Sequence, residues 1–195
     1  NRIIQAKRNI DGFVAKTPFG FAPKLSKIAD AQIYLKKENL QITGAYKVRG
    51  AFNKIANLDE EAKKSGVVAA SAGNHAQGVA ISAKHFGVRA IIIMPEAAPL
   101  SKVAGTKALG AEVILKGDNF DEAYAYALEY AKENNMSFIH PFDDELVQAG
   151  QGTIALEMLD EVSDLDYIVV PVGGGGLISG VASCAKQINP NIKII

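Results

Sequence analysis

The sequence predicts an α/β fold of two parallel-sheet, three-layer domains, the smaller inserted into the larger. Three observations carry this. Short β-branched runs alternate with helical stretches along most of the chain. The strands are near-continuously apolar, as strands covered on both faces are. Glycines stand at element ends, as at Gly66, Gly73, Gly87, Gly110 and Gly117.

Each element follows from local pattern. Gln32 to Lys36 reads as a strand. Thr43 offers an N-cap hydroxyl, and Val48, Ala51, Phe52 and Ile55 follow at helical spacing. Val67 to Ser71 is a strand, and His75 to Phe86 a helix stopped at Gly87. Ala90 to Met94 is a strand, with a helix from Leu100 to Leu109 stopped at Gly110. Glu112 to Leu115 is a strand. Asn119, with Glu122 three residues on, makes a capping box for a helix reaching Asn134. Ser137 to Ile139 is a short strand, and Leu146 to Val162 a helix. Tyr167 to Val172 reads as the clearest buried strand in the chain. A run of four glycines, Gly173 to Gly176, leads into a helix from Leu177 to Ile188, and Asn191 to Ile195 begins a last strand. The expected division is residues 1–54 plus 143–195 as a large domain and 55–142 as the inserted one. The chain starts at Asn1 without Met, and both ends look cut. The strand at Asn191 to Ile195 has no following helix, so one side of the large-domain sheet is expected to lack its cover. Exposed apolar strand surface favours association, and a homo-oligomer is expected.

Composition narrows the function. The 195 residues are 48% hydrophobic and 22% charged, ordinary values for a globular protein. Lys+Arg and Asp+Glu are both 21, which argues against a nucleic-acid partner. No apolar run approaches the ~20 residues that span a bilayer, so no membrane partner is expected. A single cysteine, Cys184, excludes an intramolecular disulfide framework and a multi-Cys zinc site. A lone thiol and no visible signal peptide point to the cytoplasm. His75, His85 and His140 show no metal spacing.

In α/β sheets ligands gather at the carboxyl ends of strands, so the loops after Lys36, Ser71 and Val172 are the places to look. The loop Val172-Gly173-Gly174-Gly175-Gly176-Leu177 lets a ligand approach the backbone closely, at a helix end that favours an anion. A tight turn needs one or two glycines; four point to anion binding. No G-x-G-x-x-G is present, and Val181 and Ala182 stand where a Walker motif needs Lys and Ser/Thr. A dinucleotide or nucleoside triphosphate is therefore disfavoured. Ser71-Ala72-Gly73-Asn74-His75 is a second strand-to-helix turn. It reads equally as ordinary capping by Ser71 or Asn74 and as a carboxylate site. Lys47 falls in the first turn of a helix, where the dipole disfavours a cation. It is either a solvated surface charge or an amine of lowered pKa, and its small or apolar flanks Ala45, Val48 and Ala51 favour the second. Arg49 reads as a structural ion-pair partner, and Cys184 as core.

The stretch from Lys37 to Phe52, including Thr43-Gly44-Ala45-Tyr46-Lys47-Val48-Arg49-Gly50, resembles the cofactor-lysine segment of threonine dehydratases. These are pyridoxal-phosphate enzymes of the tryptophan-synthase-β type fold, also called fold type II. Ser71 to Gly78 resembles their substrate-carboxylate loop. Gly150-Gln151-Gly152-Thr153 and Pro171 to Leu177 resemble further family segments, the last being the phosphate loop. The resemblance runs over essentially the whole chain and is specific to the dehydratase and serine-racemase branch. It implies pyridoxal 5'-phosphate as cofactor and Lys47 as the residue that carries its aldehyde and later moves the Cα proton. It implies that Gly173, Gly174, Gly175, Gly176 and Leu177 hold the phosphate. Asn74 would bond the cofactor's phenolic oxygen, and Tyr46 would lie against its ring. Ser71, Ala72, Gly73, Asn74 and His75 would receive the substrate carboxylate. Ala45 stands where many relatives carry Ser. The implied reaction is dehydration and deamination of L-threonine to 2-oxobutanoate and ammonia, with L-serine to pyruvate beside it, in amino-acid metabolism such as isoleucine biosynthesis. Serine racemase or serine dehydratase is the alternative, as is a silent anion-binding relative. Such enzymes continue well past Ile195, so this chain is expected to be an N-terminal portion.

Overall fold

Four strands dominate the fold: β3 (Val67–Ala70), β4 (Ala90–Met94), β5 (Glu112–Leu115) and β6 (Ser137–Phe138). A computed structural model describes residues 2–195. The four strands form one parallel sheet in the order β5-β4-β3-β6. The alternation of side chains divides it into two buried faces. On one face Val67, Ala69, Ala90, Ile92 and Met94 pack against α5 (Asn74–His85) and α6 (Leu100–Ala108). On the other, Val68, Ala70, Ile91 and Ile93 meet Ala123, Ala127 and Ala131 of α7 (Phe120–Glu133). The helix contributes alanines at a spacing of four, so it lies close to the sheet. Ile91, Ile92 and Ile93 are buried, each worth about 2 kcal/mol against exposure. This is why the strand reads as an unbroken apolar run.

The remaining elements are α1 (Arg2–Ile10), β1 (Phe19–Phe21), α2 (Pro23–Ala29), β2 (Tyr34–Lys36), α3 (Lys47–Ala56), α4 (Glu60–Ser65), α8 (Glu145–Glu161), β7 (Tyr167–Ile168), α9 (Gly176–Ile188) and β8 (Lys193–Ile194). β1 and β2 pair antiparallel, whereas β7 and β8 pair parallel. Helix α8 lies between α3 and α9. Small residues set these approaches: a Cβ on Gly150 would meet the Gly50 Cα at 2.6 Å, and one on Gly152 would meet the Gly180 carbonyl at 2.8 Å.

Several expectations need correction. Thr43 does not cap α3. The helix begins at Lys47 with Tyr46 at the cap position and no side-chain cap, and the Thr43 hydroxyl donates to the Ala45 carbonyl instead. Tyr167 to Val172 is not a long buried strand. Only Tyr167–Ile168 is ladder, and Ile168 and Val170 face the core while Val169 is 75% exposed. The reason is cover: side chains alternate between faces, the core packs on the face of Ile168 and Val170, and the face of Tyr167 and Val169 is left exposed. Neither Ser71 nor Asn74 caps α5, whose cap position is Gly73 with no side-chain bond. Helices α1, α2 and α4 and strand β1 escaped the sequence reading. They are short, and α4 is announced only by its cap, Asp59 accepting from the Ala62 N–H.

Candidate active site

Lys47 begins α3, and its position is set by what anchors that helix. Arg49, two residues on, is fully buried. Its guanidinium donates to both Glu157 oxygens at 2.6 and 2.9 Å and twice to Glu38 at 2.8 Å. Lys36 adds a third cation-to-carboxylate contact on Glu157 at 2.5 Å. Removing one member of such a buried cluster strands the others, so the start of α3 is tied to β2, to the turn at Glu38 and to α8. From the other side comes α5. A Cβ on its Gly78 would lie 3.1 Å from the Val48 nitrogen and 3.2 Å from the Lys47 carbonyl carbon, so the helix backbones nearly touch there. Asn74, four residues earlier, stands one turn up the same face of α5.

The Lys47 side chain is half-buried. Burial lowers its pKa, which favours the free amine. Its Nζ donates to the Pro141 carbonyl at 2.6 Å and lies 5.6 Å from the centre of the Tyr46 ring. Burial raises the Tyr46 phenol. Pro141 brings the glycine loop into the same place. Its neighbour Phe142 is the residue that a Cβ on Gly174 would strike, and a Cβ on Gly176 would lie 2.8 Å from the Phe142 Cα. The amine and the glycine loop therefore meet across the Pro141–Phe142 pair.

Two helix N-termini open here without side-chain caps, α5 after Gly73 and α9 after Gly175. Gly175 has φ +85°, a left-handed conformation suited to glycine. Gly173 and Gly174 are exposed, Gly176 is buried and Leu177 packs against the core beside α8 and α9. Ser71, Ala72 and Gly73 are half-buried, and the Ser71 hydroxyl accepts from the Gly73 N–H at 3.1 Å. His75 is buried, with its Nε2 on the Ile139 carbonyl at 2.9 Å. Burial drives its pKa down to about 4, against the pull of that carbonyl and with the help of nearby Lys47. The imidazole is thus neutral and committed to the Ile139 carbonyl just past β6, and the His75 backbone N–H is what remains to offer at the helix end. Cys184 is buried, and burial pushes its thiol up to about 11, which removes it as a nucleophile.

These residues suit a group with an aldehyde and a phosphate: an amine of lowered pKa, and an uncapped helix end with a glycine backbone that side chains would block. Sequence reading missed His140, Pro141 and Phe142. The available signal was their place, immediately past a strand end and before the Asp144 cap of α8.

A family profile described as pyridoxal-phosphate dependent enzyme matches residues 10–195. An L-threonine ammonia-lyase of Thermotoga maritima is 54% identical over 193 residues, 99% of this chain and 48% of that protein. The solved structure of maize serine racemase superposes with a TM-score of 0.95 at 39% identity, covering 99% of this chain and 59% of that one. Threonine deaminase isoform 2 from Solanum lycopersicum superposes with a TM-score of 0.93 at 42% identity, over 98% of this chain and 54% of that one. The chain spans about half the length of the curated relatives it matches. Among the described residues no helix is long and apolar enough to cross a membrane. A match that runs nearly end to end, over a fold that brings a lysine and a glycine loop together, means that this chain belongs to the pyridoxal-phosphate dependent enzymes.

Proposed function

We propose that this chain supplies the lysine and phosphate-loop part of an L-threonine ammonia-lyase that converts L-threonine to 2-oxobutanoate and ammonia, and L-serine to pyruvate. The single observation that carries the reading is the half-buried Lys47 amine, of lowered pKa, facing the Gly173–Gly176 loop across Pro141 and Phe142. The 54% identity to a threonine ammonia-lyase supports threonine as substrate.

Each role falls to a residue with a physical reason. The pyridoxal phosphate, when bound, supplies an electron sink for the pair left as the Cα–H bond breaks. Lys47 would hold the cofactor aldehyde and, as the base, would take the Cα proton from a position fixed by α3. The N–H groups of Gly173 to Leu177 at the uncapped start of α9 would hold the phosphate dianion. Asn74 would donate to the phenolic oxygen, and Tyr46 would pack beside the ring. The Ser71 hydroxyl and the N–H groups from Ala72 to His75 receive the substrate carboxylate at the start of α5. A neutral His75 places no competing proton donor there. We assign residues 1–54 and 143–195 to the cofactor domain and 55–142 to the inserted one, in a cytoplasmic homo-oligomer acting on a small amino acid.

Reduction with borohydride in the presence of pyridoxal phosphate, followed by peptide mapping, tests the reading in the full-length protein. The adduct is expected on Lys47. Lys47→Ala should lose the adduct and lower threonine deamination by at least about 10³-fold, since nucleophile and base go together. An adduct elsewhere, or retained turnover, removes the assignment. The likeness to maize serine racemase favours a second reading with the same residues. D-serine as the main product from L-serine, with little keto acid, would select it.

A further inference from the structure

The turn from His140 to Asp143 touches both the Lys47 amine and the glycine loop, yet the roles above leave it unused. The imidazole of His140 is a hydrogen-bond acceptor. Its Nδ1 receives the Phe142 N–H at 3.2 Å and the Asp143 N–H at 2.7 Å. A ring nitrogen that accepts carries no proton, so a neutral His140 has its proton on Nε2. Burial lowers its pKa, against the opposite pull of Asp143 and Asp144, and Lys47 adds to the lowering. The ring is wedged edge-on against Tyr124, Phe138 and Phe142, the last at 4.7 Å between centroids and 89° between planes.

Two groups of this turn face the site. Pro141 gives the carbonyl that receives the Lys47 amine at 2.6 Å. Phe142 gives the ring and backbone that Gly174 and Gly176 are shaped around. The Phe142 carbonyl accepts from Gln148 of α8 at 3.2 Å, which steadies the far side. Proline cannot donate a backbone hydrogen bond, so the turn depends on the two N–H groups that follow, and both go to His140.

We propose that His140 is a positioning residue for Lys47: by accepting two backbone hydrogen bonds it fixes the carbonyl that orients the amine and the phenyl that seats the glycine loop. This rests on Lys47 being the cofactor lysine. Its geometric half does not.

The test exploits acceptor position. In asparagine the Oδ1 sits where the histidine Nδ1 sits, and asparagine builds the same kind of turn. In glutamine the acceptor lies one bond further out. In leucine there is none. Backbone amide exchange at Phe142 and Asp143 in the cofactor-free full-length protein reads the turn directly. Trapping of the Lys47 adduct across a titration of pyridoxal phosphate reads its consequence. His140→Asn should keep both amides protected and its adduct affinity within about threefold of wild type. His140→Leu and His140→Gln should lose protection and weaken adduct formation roughly ten- to thirty-fold, the equivalent of two ordinary hydrogen bonds. If the leucine variant does not fold, the asparagine–glutamine pair decides. Equal behaviour of asparagine and glutamine, or full affinity in leucine, overturns the proposal. Wild type with no adduct on Lys47 but protected amides would instead overturn the cofactor assignment and leave the turn standing.

Discussion

Two strand-to-helix turns in this molecule begin alike and end differently. After β5 the chain passes Gly117 and enters α7. There Asn119 accepts from the Glu122 N–H at 3.0 Å, and the Glu122 carboxylate accepts from the Asp118 N–H at 2.9 Å. The helix end is satisfied by its own side chains. After β7 the chain passes Gly173 to Gly175 and enters α9 with no side-chain cap. The comparison teaches what separates a turn from a site. Both need glycine to make the bend, but only the second leaves donors at a helix N-terminus for something else to meet. Beside the closed turn lies Glu96, whose backbone N–H donates to the Gly117 carbonyl at 2.9 Å. Beside the open one lie Phe142 and, through Pro141, the Lys47 amine.

The sharpest way to break this comparison is to fill the open turn. Gly174→Val would drive its side chain into the Phe142 ring. Steric overlap of this kind costs about 1–3 kcal/mol. Gly174 lies in an exposed loop that is free to give way while no ligand holds it, so most of that cost is expected to fall on the bound state. Pyridoxal phosphate affinity, from equilibrium dialysis, is expected to fall roughly ten- to a hundred-fold, while the melting temperature of the cofactor-free protein moves little. Unchanged affinity would reduce the glycine run to a bend.

A second experiment asks whether the site region is also the acid-labile one. His75 at the other open helix end has its pKa held down at about 4 in the folded protein, against ~6.5 unfolded. Below pH 6.5 the unfolded chain takes a proton that the folded chain refuses, so stability present above that pH is lost as pH falls toward 4. The loss is about 3 kcal/mol across the window. Urea midpoints at pH 7.5 and 5 should differ in wild type, and less so in His75→Gln. Equal pH dependence in both would mean that His75 titrates normally.

The smallest effect belongs to the closed turn. Asn119→Ala should cost about 1 kcal/mol of stability, the usual worth of an N-cap, with cofactor affinity untouched. A loss of affinity there would show that the two turns are not independent.

How much of this was legible beforehand depended on distance along the chain. Strand β4 fell where the apolar run put it, because both of its faces are covered and every residue in it is buried. The Asn119–Glu122 cap was legible because both partners lie within four residues. Lys47 and the glycine loop could be singled out as odd, one a cation at a helix start and the other richer in glycine than a bend needs. Thr43 misled because its hydroxyl turns to the Ala45 carbonyl and the helix starts later, at Lys47, with no side-chain cap. Tyr167 to Val172 misled because apolar residues mark a strand whether or not anything covers both of its faces.

The sequence by itself determined the alternation of strands and helices, the local caps and the residue types of a phosphate-and-amine site, all properties of neighbours within a turn or two. Only the tertiary structure decided that Lys47 meets the glycine loop. That meeting runs through Pro141, 94 residues away along the chain, in a turn held by His140. Packing decided it too: Gly78 lets α5 reach the start of α3, and Glu38 with Glu157 fixes Arg49 there. The physical reason is that period and capping report each residue's immediate surroundings. The pKa of an amine, the aim of a carbonyl and the cradle of a loop are set by atoms that the chain brings close only when it folds.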